Sequence, residues 1–447
     1  MKTLWDKGKP LDDEIADFTV GDDRAVDAHF AAQDVLTNLA HVQVLAAAGL
    51  LRPDEAEALT AALRGLYPLA LAGELAPEPQ DEDIHSAIER RLTQSLGEPG
   101  KRVHTARSRN DQIATDVALW LREQALGACA EALEAAGVAA AFAAAHQGEP
   151  LPGMTHLQPA MPSSFGQWAA GYAALLLDDA EALLHAFEAA DACPLGSAAG
   201  YGIPAELAPI DRAMSAQLLG FSRPIEPATA VQGGRGKAEA ALLSAMCQLS
   251  TTCARLAQDV VLYVHPSFGF MRLPVNFTTG SSIMPQKRNP DVMELVRGHA
   301  KIVQAALFEV LTLAGSVTSG YHRDFQLLKA PTIRGAGAAR SMVRMVAHVL
   351  PGVEVEAERA LSACSPELYA THKALELVIA GVPFREAYRQ VADALDAGAL
   401  PDATGRPVVD IGAALEQIRS RAAAIDGRRR ARLLQIEGAR EALLGTT

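Results

Sequence analysis

Apolar residues recur at helical spacing through most of the chain. Between residues 22 and 49, Val26, Phe30, Val35, Leu36, Leu39, Val42 and Leu45 fall mainly three or four apart, and Gly49 stops the run. Pro53 opens a second helix, to about residue 63, at the first-turn position where its missing N–H costs little. Longer helices are expected over about 110–145, 163–190, 237–264, 290–317 and 334–349, the fourth carried by Val292, Leu295, Val296, Ile302, Val303, Ala306 and Leu307. Proline- and glycine-rich connections separate them, including 150–162, which reads as a loop. No stretch alternates apolar and polar residues over a useful length, so no strand is expected. Beyond about residue 352 the helices shorten around Gly381-Val382-Pro383 and a loop at 401–407, and the chain ends in an arginine-rich amphipathic tail. The pattern predicts an all-α protein, a central bundle of long helices flanked by two smaller helical domains. The boundaries read as 1–107, 108–352 and 353–447.

Composition narrows the partners. Of 447 residues, 49% are hydrophobic and only 5% aromatic, which suits helices packed through small side chains. A formal net charge of -13 argues against nucleic acid or an anionic membrane as the main partner, but not against an anionic substrate. Five scattered cysteines form no Cys-x-x-Cys pair and read as buried reduced thiols. The N-terminus has no apolar signal region, and the longest apolar runs carry acids or histidines, so a soluble cytoplasmic protein is expected.

The stretch with the most chemistry is Gly280-Ser281-Ser282-Ile283-Met284-Pro285-Gln286-Lys287-Arg288-Asn289-Pro290. Its glycine and serines suit a mobile flap, and Pro285 keeps it from continuing a helix. Asn289 reads as an N-cap and Pro290 as the first helical position, with Asp291 complementing the helix dipole. A serine-rich flap, a lysine and a helix N-terminus together can hold carboxylates and cover a substrate. Four other blocks stand out. Asp81 to Leu92 alone reads as a surface helix with acids in front and arginines behind. Val103 to Gln112 reads as a capped helix start, or as a carboxylate clamp through its arginines. Gly153-Met154-Thr155-His156-Leu157-Gln158-Pro159 fixes a histidine between a glycine and a proline. Gln232 to Lys237 lacks the Gly-Lys-Ser/Thr of a phosphate loop, and the Leu195–Gly202 turn lacks Gly-x-Gly-x-x-Gly, so neither binds a nucleotide. Gln232 and Arg235 can still line a site.

The flap, with its Gln-Lys-Arg-Asn-Pro-Asp ending, resembles the signature of the fumarase/aspartase superfamily, and within it the argininosuccinate lyase family. The Asp81, Val103 and Gly153 blocks resemble the same family, and the resemblance runs from about Lys2 to Glu386. It implies a fumarase/aspartase-like fold, elimination of fumarate from argininosuccinate through an aci-carboxylate, and no cofactor or metal. It also implies a homotetramer whose active sites each draw on three subunits, with no nucleic acid or membrane partner. Carried over residue by residue, it makes Ser281 the base (Ser282 the fallback), with Lys287 supporting it. His156 would act on the leaving-group side, oriented by Glu294. Ser108, Arg109, Asn110, Thr155 and Asn289, with Lys287, would hold carboxylate, and Asp83, Tyr321, Gln326 and Lys329 the arginine end. The chain departs from the family pattern at Thr19-Val20-Gly21, Ser197–Gly202, Val231–Lys237 and Leu327-Leu328. Competing readings are adenylosuccinate lyase or another succinyl-amine lyase, and a catalytically silent structural relative.

Overall fold

The computed structural model describes residues 12–79, 81–315, 317–400 and 408–446. The N-terminal Met1–Asp6 segment and the 401–407 loop lie outside the described residues. The longer elements are α1 (Ala31–Ala47), α2 (Pro53–Leu71), α3 (Ile84–Leu96), α4 (Arg109–Ala145), β1 (Pro150–Thr155), β2 (Gln158–Ser164), α5 (Phe165–Ala190), α6 (Lys237–Tyr263), α7 (Asp291–Ala314), α8 (Lys329–Val349), α9 (Ala370–Ile379), α10 (Phe384–Asp396) and α11 (Gly412–Leu444).

The central bundle is α4, α5, α6, α7 and α8. On α4, Ala125, Ala128, Ala132, Ala135 and Ala139 are fully buried at alternating spacings of three and four, against Ala173, Leu176, Ala180 and Leu183 of α5. Alanine knobs let the two helices approach closely, which is why the chain can be rich in alanine and poor in aromatics. At Gly335 on α8 the fit leaves no room for a side chain: a Cβ there would lie 2.6 Å from the Leu243 side chain and 2.9 Å from that of Ala306. By length and composition α4 could cross a bilayer, yet it buries Asp116 and Arg122 and packs on α5, α8 and α6 as a core helix. A second core joins α1, α2 and α3 to the end of α11 through Leu39, Leu59, Leu63, Ile88 and Leu443.

Several expectations shift. The run at 22–49 breaks into Asp23–Asp27, a 3-10 turn Ala28–Phe30 and α1, with Asp27 buried at the break. Helix α2 continues past residue 63 to Leu71 with Pro68 inside it. The loop at 150–162 is an antiparallel hairpin, β1 with β2, in which Pro152 faces Pro162. Prolines hid it, since they remove ladder donors and spoil the alternating pattern. The two serines before α5 end β2, and Ser164 caps the helix. Helix α7 starts at Asp291 with Pro290 as its N-cap, one residue later than expected, and ends at Ala314. The arginine-rich tail is the 33-residue helix α11, lying along α4 and α5 with Arg421 on Asp178 (2.6 Å) and Arg428 on Glu181 (2.7 Å). All five cysteines are free, four of them buried.

Candidate active site

The expected site residues fall into three groups. The first gathers where α3 and α4 begin. Asp83 caps α3, its Oδ1 accepting the Ser86 N–H (2.8 Å) and hydroxyl (2.6 Å). Arg109 reaches across from α4, with Nη1 3.1 Å from Asp83 Oδ2 and 2.8 Å from Glu82 Oε2. Burial alone pushes the Asp83 carboxyl up. The His85 and Arg109 charges and the Ser86 bonds outweigh it, and the carboxyl ends below its usual value. Ser108 caps α4 in a capping box with Asp111, accepting the Asn110 N–H at 3.2 Å. The other Asp111 oxygen accepts the Gly196 and Ala198 N–H groups (3.0 and 2.8 Å), which pins the glycine-rich turn to the start of α4. Gln232 donates to the Asn110 carbonyl at 3.2 Å.

The Tyr321–Lys329 segment closes on the same region. Tyr321 meets Phe325 edge-on, and the Arg235 guanidinium lies over the Phe325 ring at 5.6 Å. Gln326 shares the 3-10 turn Arg323–Leu328. Lys329 is buried between Asp27 (2.5 Å) and Asp23 (2.9 Å), two partners that sequence reasoning missed. Their signal was an acid pair four residues apart in the broken helix before α1. Arg323 bridges to Glu82 at 3.2 Å. Of the two leucines that depart from the family pattern, Leu328 is a core residue beside Val310 and Phe325, and Leu327 is exposed.

The second group is the hairpin tip. Thr155 pairs with Gln158, leaving His156 and Leu157 as a two-residue turn with φ +56° and +58°. Two consecutive left-handed residues suit a tight hairpin and are costly for residues other than glycine. The tip therefore spends conformational energy to present His156 to solvent. Behind it lies a cavity of about 550 Å³ lined by Met154, Trp168, Asp259 and Tyr263, where Asp259 accepts from Trp168 (2.9 Å) and Tyr172 (2.7 Å).

The third group is the flap, a loop pinched at its base. Thr279 and Asn289 exchange backbone hydrogen bonds (3.2 and 2.9 Å), and Thr279 Oγ1 donates to Asp291 on α7. Asn289 thus closes the loop rather than capping a helix, its Nδ2 donating to the Gly280 carbonyl and Thr279 Oγ1 at 3.3 Å. Within the loop, Ser281 Oγ accepts the Met284 N–H (3.2 Å) and the Ile283 N–H (3.4 Å). Those two N–H groups favour negative charge on that oxygen. Ser282, Lys287 and Arg288 are exposed around it.

Within one chain the first group lies at the opposite end of the bundle from the hairpin and from the flap, whose helix α7 starts beside the end of α6 (Arg297 to Gln258, 2.5 Å). Helix α4, of 37 residues, has Asn110 at one end and the hairpin just beyond the other, about 55 Å apart at 1.5 Å per residue. Helix α6, of 27 residues, starts beside Arg235 and ends against the hairpin's cavity, about 40 Å away. No hydrogen bond or ion pair among the described residues joins His156 to Glu294, or either to the first group. Beneath the first group lies a buried polar cluster, Asp34, His85 and Asp116, that the sequence reading passed over. Asp34 sits among the apolar positions of α1, where an acid has no solvent to face.

Comparisons with known proteins agree on the kind of protein. A family model described as Lyase matches residues 17–305. The argininosuccinate lyase of Sorangium cellulosum is 43% identical over 413 residues, covering 92% of this chain and 95% of that relative. The one from Thermotoga neapolitana is 38% identical over 87% of this chain and 97% of its own. Among solved structures, EDDS lyase in complex with formate superposes with a TM-score of 0.77 at 20% identity, covering 97% of this chain and 95% of that one. The class II fumarase of Schistosoma mansoni gives 0.68 at 17% identity, covering 86% and 91%. At such identities the structural likeness speaks for the fold, which is fumarase-like and all-α apart from one hairpin and a two-residue pairing of Met271-Arg272 with Glu354-Val355.

Proposed function

The chain belongs to the argininosuccinate lyase family of the fumarase/aspartase superfamily, and from that membership we propose that it eliminates fumarate from argininosuccinate, reversibly, to give arginine. The observation that carries the reading is the flap: a serine hydroxyl seated over two backbone N–H groups, on a loop whose base is pinned and whose span carries Lys287. Removing a weakly acidic Cβ proton requires a base and fixed positive groups for the aci-carboxylate that results. Ser281 is the base, its anion favoured by the Ile283 and Met284 N–H groups and by Lys287. Electrons from the broken C–H bond pass into the adjacent carboxylate. They return to form the C=C bond of fumarate as the C–N bond breaks. His156, oriented by Glu294, gives the leaving guanidine nitrogen the proton it takes up as the C–N bond breaks. In the reverse direction Ser281 is the acid and His156 the base, and the alternative assignment exchanges the two labels. Ser108, Arg109, Asn110, Thr155 and Asn289 hold carboxylate, and Asp83, Tyr321, Gln326 and Lys329 the arginine end.

A homotetramer belongs to the same reading. Groups some 40–55 Å apart in one chain become one site when long helices from neighbouring subunits run in opposite directions. Helix α7 leaves Leu295, Ile302, Phe308 and Leu311 exposed for such a contact. Five free cysteines suit a reducing cytoplasm, and the segments 1–107 and 353–447 flank the shared bundle. Ser281→Ala and His156→Asn test the roles. Each should lower kcat on argininosuccinate by about two to four powers of ten, and wild-type turnover in both variants would remove the assignment.

A further inference from the structure

The cluster beneath the first group of site residues ties three helices together. His85, on the first turn of α3, sets Nδ1 3.2 Å from Asp34 Oδ2 on α1 and 3.8 Å from Asp116 Oδ2 on α4. All three side chains are buried, and those three atoms have no hydrogen bond of accepted geometry elsewhere. The far oxygens are fixed. Asp34 Oδ1 accepts from Gln112 (2.5 Å) and Asn38 (3.1 Å), and Asp116 Oδ1 accepts from Thr37 (2.6 Å). One oxygen of each carboxylate is therefore aimed at the imidazole by a partner on its other side.

The three atoms lie within 4.8 Å of one another, a spacing that would also suit a divalent cation. The charges around them favour a proton instead. Arg107, buried with Nη2 2.7 Å from Asn38 Oδ1, already sets one positive charge near both carboxylates. An imidazolium facing Asp34 supplies the second, while burial and the Asp34 charge push the Asp116 carboxyl well above its usual value, so the pocket carries too little negative charge to favour a divalent cation. We propose that His85 is a positioning residue: a buried imidazolium strut that holds the α3 N-cap residue Asp83 against the Ser108–Asn110 turn of α4, so that substrate affinity depends on its positive charge. The proposal rests on the lyase reading and deepens it. His85 itself touches no substrate. It acts through Asp83, two residues back on the same turn.

Other charged groups bear on that ring. Asp83 stands at its own helix start, Asp27 in the short helix before α1, and His104 in the turn before α4. Burial opposes the charged form of His85, but Asp34, then Asp83 and Asp116, outweigh it and hold the imidazolium up to about 9. The charge is thus present at neutral pH and is lost as pH rises through that value.

The test measures KM and kcat on argininosuccinate between about pH 7 and pH 10 for wild type, His85→Asn and Asp34→Asn, with thermal unfolding of each alongside. In the wild type, KM should rise at least about tenfold as pH passes 9, while kcat changes less than about threefold. His85→Asn should have the raised KM throughout, with no further alkaline rise. Asp34→Asn should move the break about a unit or more toward neutral, because the imidazolium loses its nearer carboxylate. A merely structural role would leave KM independent of pH. The proposal is overturned by a flat wild-type KM, by a wild-type-like KM in His85→Asn, or by a stoichiometric divalent metal in the purified protein. If the wild type releases no fumarate at any pH, the lyase reading fails separately. The strut is then judged by whether the alkaline loss of thermal stability disappears in His85→Asn and shifts in Asp34→Asn.

Discussion

Two inactive variants mixed together should regain activity, in an amount the geometry sets. Asn110 opens α4 and His156 lies just past its far end, about 55 Å away, too far for one chain to place both on one small substrate. If each site takes Asn110 from one subunit and His156 from another, a site works when the first donor is not Asn110→Ala and the second is not His156→Asn. In an equal random mixture each condition holds for half the subunits, so about one quarter of sites are intact in a symmetric tetramer. If a single subunit supplied both residues, no site would be intact at any ratio. Asparagine is chosen at 156 because it tolerates the left-handed turn there (φ +56°) better than alanine does. The assay is fumarate release after the two variants, differently tagged, are co-expressed and the mixed oligomer is isolated. Recovery near one quarter of wild type supports shared sites. A mixture no more active than the mean of its parents refutes the reasoning.

Three further predictions concern the flap, the core and acid stability. Thr279→Val deletes the hydroxyl that joins the flap base to Asp291 and Asn289, so kcat should fall between about ten- and a hundredfold with unfolding temperature unchanged. A normal kcat would show that the flap needs no pinned base. Arg122 is wholly buried, bonded to Asp191 (3.0 Å) and to the Leu219 and Gly220 carbonyls, so Arg122→Met should cost about 3–5 kcal/mol in urea unfolding, and a loss under 1 kcal/mol would contradict it. Burial, with Arg107 and Arg109, pushes His104 down to about 4. The unfolded chain therefore takes up a proton near pH 6.5 that the fold refuses, and stability from this residue falls between there and pH 4. His104→Gln should flatten that acid slope in urea midpoints, and an unchanged slope would rule the residue out as its source.

Much of the fold could be read from local pattern. Apolar periodicity marked every long helix of the bundle, because each buries a stripe or more against its neighbours, as Val296, Val303 and Val310 do on α7. The flap was legible because its serines, prolines and lysine break that periodicity at one place. The hairpin was not. Its turn, His156-Leu157, has no glycine or asparagine, and Pro152, Pro159 and Pro162 mask the strands, so pairing is settled by long-range contact rather than by local preference. The first site group was legible only block by block. That Arg109 would turn to Asp83 and Glu82, and Lys329 to Asp23 and Asp27, depends on contacts between segments up to about 300 residues apart. Asp34 and Asp116 read as ordinary helix positions until α1, α3 and α4 are packed around them.

The most direct test of the lyase assignment is product stoichiometry. Purified protein is given argininosuccinate, adenylosuccinate, aspartate or malate, and fumarate and its co-product are quantified together. The account predicts one arginine for each fumarate from argininosuccinate, and no fumarate from the other three. Fumarate from a different substrate, or none from any while the protein is folded and tetrameric, would contradict it.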